Sequence, residues 1–378
     1  MVKIISQKTH SFLTYMRHEA VLSIAWILAL LSMLAVRPDR TYSSYIDMHT
    51  LGLLFALMAV MAGLKEMGVF RRVAEALLRR THSTRQLEAV LIFLPFFSSM
   101  LVTNDVALIT FVPFALEVLV MAGLSGRIVA VVIMQTIAAN LGSMTTPVGN
   151  PQNLFLYSYF GLSMADFFTA VLPLSLISFG LLLLFILIRR SESLEMLACS
   201  SADAPLKYGR LGLLIVLFVL CLLVVAKLVP LWLVCLLTVA AMLLWDRAAL
   251  KDVDYALLMT FIGFFIFVGN LGRIPVFSQF FNSLLEGNEV LCSVFVSQFI
   301  SNVPAALLLS GFTDSSRELL VGVNLGGLGT LIASMASLIS YKYMARSCPN
   351  EKNKYLLWFS IANLVFLVIL LAAWGFLM

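Results

Sequence analysis

The residues best placed to do chemistry form two short polar stretches inside apolar sequence. Thr103-Asn104-Asp105 interrupts a largely apolar region from Leu87 to Gly123, and Ser301-Asn302-Val303-Pro304 interrupts a second one far along the chain. An Asp at the centre of a membrane helix costs roughly 2.5–3.5 kcal/mol, so its presence there indicates a functional site. We interpret the two stretches as one element used twice.

The oxygen atoms of these stretches predict a binding site for a small hard cation such as Na⁺. Amide, hydroxyl and carbonyl oxygens can replace the water around such an ion, and helix N-termini offer N–H groups to an anion. Neither stretch contains Lys, Arg or His, so an anion would depend on backbone dipoles, amides, hydroxyls and a bound cation. Ionised, Asp105 strengthens a cation site and repels an anion; protonated, it can donate to an anion or carry a proton.

Two glycine-rich segments predict breaks within membrane helices. Gly142 through Pro151 lies inside a predicted helix over 127–157, and Gly326 through Ser334 lies inside one over 317–341. Such breaks free backbone carbonyl and N–H groups, which bind ions only where they face a cavity. The breaks are therefore expected to lie beside the two polar stretches.

Each of these features also has a purely structural interpretation. Asn104 and Asn302 could serve only as caps of two tight turns, and Asp105 could serve as the N-cap of the following helix. Gly149 and Asn150 could mark only a kink. The repetition of the two Asn residues favours the functional interpretation for that pair.

Composition places these segments in a polytopic helical membrane protein. Of the 378 residues, 61% are hydrophobic and only 12% are charged, which is about half the charged fraction of a soluble domain. The five cysteines are scattered without a CxxC pair, which predicts free thiols and no metal site. No basic run resembles a nucleic-acid patch, so the expected partners are the lipid bilayer and a small anionic substrate.

Hydrophobic patterning predicts spanning helices, two re-entrant hairpins and two amphipathic segments at the membrane faces. The hairpins, 88–120 and 289–312, have arms of about 15 residues or fewer, which rise only ~22 Å against a hydrocarbon core of ~30 Å. Segments 65–80 and 275–285 are amphipathic and are expected to lie along the surface. The predicted spans are 20–36, 46–63, 127–157, 163–188, 211–227, 230–245, 254–271, 317–341 and 356–376.

The distribution of basic residues predicts the orientation in the inner (plasma) membrane. With a cytoplasmic N-terminus and an external C-terminus, the outside holds five of the 25 Lys and Arg residues, and the cytoplasmic side holds the rest. Cytoplasmic segments carry such an excess of positive charge. The five external residues are Arg37, Arg40, Lys227, Arg273 and Arg317.

The chain contains an internal repeat. Asp47 through Phe70 matches Asp254 through Phe277, and Asn104 matches Asn302. Asn140-Leu141-Gly142 matches Asn324-Leu325-Gly326 at an offset of 184 residues. The copies enter from opposite sides, which is typical of secondary transporters with a midplane site. The predicted units are an N-terminal scaffold helix (1–45), the first repeat (46–190), a linker with scaffold helices (191–253) and the second repeat (254–378).

At these residues the chain resembles the ion transporter superfamily, which includes divalent-anion/sodium symporters, citrate carriers, sodium/proton antiporters and arsenite exporters. The likeness covers most of the chain and rests on Thr103-Asn104-Asp105, Thr146 through Asn153, Ser301 through Pro304, and Gly329 through Ser334. It implies an elevator-like motion of the hairpin domain against a scaffold, usually in a homodimer. It also implies a site shared between the hairpin tips and the helix breaks.

The resemblance assigns roles to individual residues of the tips and breaks. It implies a first cation site at Thr103, Asn104 and Gly149, and a second at Asn302 and Ala333. Asp105 and Ser301 join the cation-binding set by their places at the tips. The residues expected to face the substrate are Asn104, Thr146, Asn150, Asn302 and Ser334.

Two departures from the family pattern bear on the substrate. Asp105 stands where the first tip of the symporters has Thr, and Val303-Pro304 replaces the Thr of the second tip. The first tip is thus closer to the arsenite exporters, whereas Asn150-Pro151-Gln152-Asn153 is closer to general anion permeases.

The sequence therefore predicts a secondary transporter, not an enzyme, that moves a carboxylate or inorganic oxyanion coupled to Na⁺ or H⁺. The alternative is a sodium/proton or arsenite/proton antiporter with Asp105 as the proton site. An intramembrane hydrolase is disfavoured because Asp105 and Glu117 are the only deeply placed carboxylates and no His-Glu-x-x-His motif occurs.

Overall fold

The structure is a computed structural model that describes residues 20–194, 207–245 and 247–377. In that part of the chain the fold is all-α, and its one β-type pairing is an isolated bridge between Ser83 and Ser193. The sequence therefore predicted the fold class correctly. Several residues on which the predicted orientation and linker depend lie outside the described residues: Lys3, Lys8, Arg17 and most of the segment 195–206.

The helices, numbered in chain order, follow the predicted layout closely. They are α1 (Ala20–Ala35), α2 (Tyr42–Tyr45), α3 (Met48–Glu66), α4 (Val69–Leu78), α5 (Thr84–Ser98), α6 (Asn104–Met121), α7 (Ile128–Ser143), α8 (Pro151–Tyr159), α9 (Met164–Ile188), α10 (Tyr208–Val225), α11 (Leu231–Trp245), α12 (Arg247–Lys251), α13 (Tyr255–Gly272), α14 (Pro275–Leu285), α15 (Glu289–Ile300), α16 (Asn302–Leu309), α17 (Ser316–Leu325), α18 (Met335–Ser347) and α19 (Lys352–Leu377).

The order of elements repeats. A long helix, a short helix, a helical hairpin, a broken helix and a second long helix occur as α3 to α9 and again as α13 to α19. Both copies begin with a side-chain cap: Asp47 accepts from the Thr50 N–H at 3.0 Å, and Asp254 accepts from the Leu257 N–H at 2.8 Å. A carboxylate at this position satisfies N–H groups that have no partner within the helix.

Both predicted helix breaks and both predicted turns are present. The first broken helix stops at Ser143 and resumes at Pro151, and the second stops at Leu325 and resumes at Met335. The first hairpin turns between α5 and α6. The second turns at the single residue Ser301, whose φ of 74° lies in the left-handed region. A Ser tolerates that conformation only at a cost, which surrounding contacts must offset.

Seven helical stretches of the described residues are long and apolar enough to cross a membrane. One of them, α6, has 18 residues and begins at the hairpin tip itself, so the expectation that both arms are too short is wrong for this arm. Conversely, α1 and α11 have only 16 and 15 residues, a rise of ~24 Å or less. The other stretches are Met48–Glu66, Ser125–Ser143, Met164–Ile188, Tyr208–Val225, Tyr255–Gly272 and Pro349–Leu377.

Helices α1 and α13 form a close pair that lies apart from the hairpins. An added Cβ at Gly263 would lie 3.2 Å from the Ala25 backbone, so the two helices approach closely there. The Asn270 amide donates to the Ser32 hydroxyl at 2.9 Å. At the end of the pair, hydrogen bonds from Thr41 and from the Arg273 guanidinium lower the pKa of Asp39.

A buried ion cluster fixes the base of the first hairpin. Glu88 on α5 is fully buried and pairs with Arg127 at 3.0 Å and with Arg189 at 3.1 Å. Arg189 follows α9, so the cluster joins the hairpin to the long helix that ends the first repeat. Removing one partner of a buried pair leaves uncompensated charge, which is costly.

We expect Glu88→Ala to destabilise the protein by about 3 kcal/mol, because two guanidinium groups lose their counter-charge in a largely buried position. The exposed pair Glu66–Arg210 provides a control, and Glu66→Ala should cost roughly 0–1 kcal/mol. Tryptophan fluorescence during heating in detergent measures both changes. Equal midpoint temperatures for the two variants would contradict the role of the cluster.

Candidate functional site

Each hairpin turn is bound to the helix break of its own repeat. In the first repeat the Thr146 hydroxyl donates to the Met100 carbonyl. In the second, the Thr330 hydroxyl donates to the Gln298 carbonyl at 3.1 Å, and the Asn302 N–H donates to the Ala333 carbonyl at 3.0 Å. Thr146 and Thr330 are repeat partners at the offset of 184 residues, so the two contacts are equivalent.

The glycines of the motif Asn-Leu-Gly allow the hairpins to approach this closely. A Cβ added at Gly142 would lie 2.1 Å from the Phe96 carbonyl oxygen, and one at Gly326 would lie 2.5 Å from the Ser297 hydroxyl. In the first break, a Cβ at Gly149 would lie 2.1 Å from the Ser143 carbonyl oxygen. Any side chain at these positions would displace the backbone that forms the site.

The Asn140 amide crosses from the first repeat to the second break. Its Oδ1 accepts from Asn104 Nδ2 and from the Ser334 hydroxyl, both at 3.0 Å. Its Nδ2 donates to the Gly327 carbonyl at 3.3 Å. A single buried side chain thus joins the first hairpin tip to the second helix break.

The Asn324 amide makes the reciprocal crossing. Its Oδ1 accepts from Asn150 Nδ2 at 3.2 Å, and its Nδ2 donates to Asn153 Oδ1 at 2.6 Å. The Asn153 amide donates in turn to the Ser143, Met144 and Thr146 carbonyls of the first break at 3.2–3.3 Å.

Gln298 holds the second break in the same manner. Its Nε2 donates to the Gly326 and Leu328 carbonyls at 3.1 and 3.0 Å, and its Oε1 accepts from the Thr330 N–H at 2.9 Å. At Gly329, φ is 112°, a conformation that only glycine adopts readily. Both breaks are therefore non-helical segments whose backbone groups bind buried side-chain amides.

A cavity of about 240 Å³ lies at the first hairpin tip. Thr103, Asp105 and Asn150 line it on one side. The opposite wall is the C-terminal half of α3, with Leu54, Leu57, Met58, Met61 and Lys65, together with Asp252 and Asp254. The cavity thus combines an apolar wall with a polar wall built from a tip and a break.

The predicted site residues fall into two groups. Thr103, Asp105 and Asn150 line the cavity. The others lie in the tips and breaks without lining it: Asn104, Thr146, Gly149, Ser301, Asn302, Ala333 and Ser334. At the second tip, Val303 takes the place that Asp105 has at the first.

Sequence reasoning missed the residues that hold the breaks together. Asn140 and Asn324 were recognised only as matching positions of the repeat, and Asn153 and Gln298 were given no binding role. A usable signal was present, because amides inside apolar helices must find partners. The cavity residues Asp252 and Asp254 were also missed as site residues, since they come together with Asp105 only in the folded chain.

The fold and the site define a membrane transporter. A model of the citrate transporter family (CitMHS) matches residues 1–317. An uncharacterised transporter of Methanocaldococcus jannaschii is 30% identical over 324 residues, covering 85% of this chain and 87% of that protein. The inner membrane protein YbiR of Escherichia coli is 29% identical over 352 residues, 88% and 90% of the two chains.

The chain belongs to the citrate transporter family, within the ion transporter and anion permease superfamily. A further relative is the silicon efflux transporter LSI3 of Oryza sativa, 33% identical over 165 residues, which cover 44% of this chain and 33% of that protein. The resemblance inferred from the tips and breaks is thereby confirmed at the level of the family.

We expect Gly149→Ala to destroy the first break, because its Cβ would overlap the Ser143 carbonyl oxygen. The protein should show a lower unfolding temperature and at least a tenfold loss of any transport activity, the loss that ~1.4 kcal/mol produces. Gly126→Ala is the matched control, since no atom lies within 4 Å of its added Cβ. A Gly149→Ala protein as stable and active as this control would contradict the described packing.

Proposed function

We propose that the protein is a secondary active transporter that carries a small anion, a carboxylate or an inorganic oxyanion, across the inner membrane coupled to Na⁺ or H⁺. The observation that carries this proposal is the cavity bounded by Thr103, Asp105 and Asn150, at a hairpin tip beside a broken helix. Family membership supports transport of this type.

The charge of the cavity favours binding of the cation before the anion. Asp105, Asp252 and Asp254 line it together with a single basic residue, Lys65. Two unit charges 4 Å apart interact by about 4 kcal/mol at an effective dielectric constant of 20, so ionised carboxylates oppose a free anion strongly. A cation held by Thr103 and Asp105, or a proton on Asp105, would reverse this balance.

The contacts on the two sides of Leu154 support alternating access. Leu154 is buried and lines both the cavity and a second cavity of about 250 Å³ that contains His49 and Lys227. Around this second cavity, polar contacts join the first broken helix to its neighbours: Tyr157 donates to the Val225 carbonyl at 3.0 Å. We propose that the protein is closed on this side, which faces outward, and open toward the cytoplasm.

An elevator-type motion fits the wall opposite the site. The residues of α3 that face the hairpin tip, from Leu54 to Met61, are apolar and offer no side-chain hydrogen bonds to it. A body carrying both hairpins could slide along such a surface without breaking buried polar contacts. The proposed orientation has the N-terminus in the cytoplasm and the C-terminus outside, and the proposed assembly is a homodimer in the bilayer.

A second candidate is a proton-coupled antiporter for a metalloid hydroxyacid, and Asp105 is the observation that favours it. Asp105 is the one residue of either tip with a titratable side chain, and it lines the cavity. The partial similarity to a silicon efflux transporter agrees with a solute of this chemistry. In this version Asp105 exchanges a proton for the solute.

Flux into proteoliposomes tests the proposal. Citrate, malate, phosphate, arsenite and silicic acid would be offered with an inward sodium gradient, with a pH gradient and with neither. Accumulation of one solute that depends on a gradient is the expected result. Equal flux with and without protein for every solute would refute the proposal, and flux of arsenite or silicic acid against a proton gradient alone would favour the second candidate.

We expect Asn104→Ala and Asn302→Ala each to reduce transport by at least two orders of magnitude, because each removes an amide from a hairpin tip at the site. A loss of this size corresponds to roughly 2.7 kcal/mol. Asn270→Ala, a buried amide between α1 and α13, is the control for general destabilisation. Full activity of either tip variant would contradict a site shared by the two tips.

Asp105→Asn separates the two candidates. If Asp105 carries the proton, the variant should lose the pH dependence of transport, because an amide does not titrate. If Asp105 strengthens a sodium site, the variant should need more sodium for half-maximal flux while its pH profile is unchanged. Unaltered sodium and pH dependence would exclude Asp105 from the mechanism.

A further inference from the structure

Two buried amides link the repeats in a way that the proposed transport mechanism has not yet used. Asn140 belongs to the first repeat and bonds to Ser334 and Gly327 of the second break. Asn324 belongs to the second repeat and bonds to Asn150 at the first break. Both side chains are at least nine-tenths buried.

These contacts are equivalent position by position. Asn140 and Asn324 are 184 residues apart, as are their main partners Asn150 and Ser334. Asn140 Oδ1 accepts from the Ser334 hydroxyl at 3.0 Å, and Asn324 Oδ1 accepts from Asn150 Nδ2 at 3.2 Å. The same offset relates Asn153, which bonds to Asn324, to Ser337, whose hydroxyl accepts from Asn140 at 3.5 Å. A symmetric pair of crossings indicates a feature of the architecture, not a chance contact.

We propose that Asn140 and Asn324 are positioning residues that couple the two halves of the site, each fixing the helix break of the opposite repeat. The two breaks then respond to a bound ion or solute as one unit. Asn140 extends this coupling to the first hairpin tip, because the same Oδ1 that accepts from Ser334 also accepts from Asn104 Nδ2.

The chemistry of the amide suits this role. Asn140 uses its carbonyl oxygen toward Asn104 and Ser334 and its NH₂ group toward Gly327. A buried amide has four hydrogen-bonding positions, and loss of one partner leaves another polar group unsatisfied. A change at the first tip is therefore felt at the second break through one side chain, without motion of the helix that carries it.

Hydrogen–deuterium exchange of the full-length protein tests the coupling directly, without any ligand. We expect Asn140→Ala to raise exchange in 326–334 and Asn324→Ala to raise it in 144–150, in each case the break of the opposite repeat. Asn270→Ala should lower overall stability without raising exchange in either break selectively. If exchange rises only in the variant's own repeat, the proposal is overturned.

A milder substitution covers the case in which Asn140→Ala does not fold. Ser334→Ala removes the same crossing from its other side, with the loss of one hydrogen bond. In this variant exchange should rise in the segment around Asn104, which bonds to the shared Asn140 oxygen. Unchanged exchange at the first tip would show that the two sites are independent and would overturn the proposal.

The ligand part of the inference rests on the proposed function and has a separate readout. Sodium chloride would be titrated against choline chloride while exchange in both breaks is followed. Sodium should slow exchange in both breaks of the wild type, and its apparent affinity should fall about 5- to 150-fold in Asn140→Ala and Asn324→Ala, the usual range of such couplings. A wild type that does not respond to sodium counts against sodium coupling in the proposed function, and the cross-repeat exchange pattern still decides the present inference.

Discussion

The structure depends on one constraint: backbone groups freed inside an apolar protein must find partners. Each unsatisfied group costs several kcal/mol in a setting without water. The chain breaks two helices, and it satisfies the freed carbonyls with the amides of Asn153 in the first break and Gln298 in the second. Because the breaks are held by side chains and not by a regular ladder, their geometry can respond to a ligand. Their positions are then available for chemistry that an intact helix could not perform.

The same constraint explains how much of the site could be predicted. Glycine, proline and asparagine locate a break by their local backbone preferences, so both breaks and both turns were found from the sequence. The partners of the breaks are different in kind, because Asn140 meets Ser334 only after two distant segments fold together. Helix length was the other failure. The second arm of the first hairpin begins at Asn104 itself, and the apolar pattern alone placed that boundary one residue too late and the arm's far end one residue too early.

The two halves are alike in geometry and unlike in charge. Thr146 and Thr330 bind equivalent carbonyls, and Gly142 and Gly326 meet equivalent hairpin arms. Asp105, by contrast, faces Val303 as its counterpart. Geometry of this kind is constrained in both halves, because each break must fit its own hairpin. Charge is free to differ, since it concerns only what occupies the space beside the tip.

This asymmetry bears on how coupling between solute and ion could arise. Of the two tips, only the first lines the cavity with a carboxylate, so that end of the site changes charge when it takes up a cation or a proton. The second tip contributes neutral oxygens and N–H groups, including the Asn302 N–H that is bound to the Ala333 carbonyl. A site with one chargeable end and one neutral end, linked by buried amides, can transmit the charge state of the first to the geometry of the second. Symmetric tips with a carboxylate on each would instead concentrate negative charge at the site and exclude an anion more strongly.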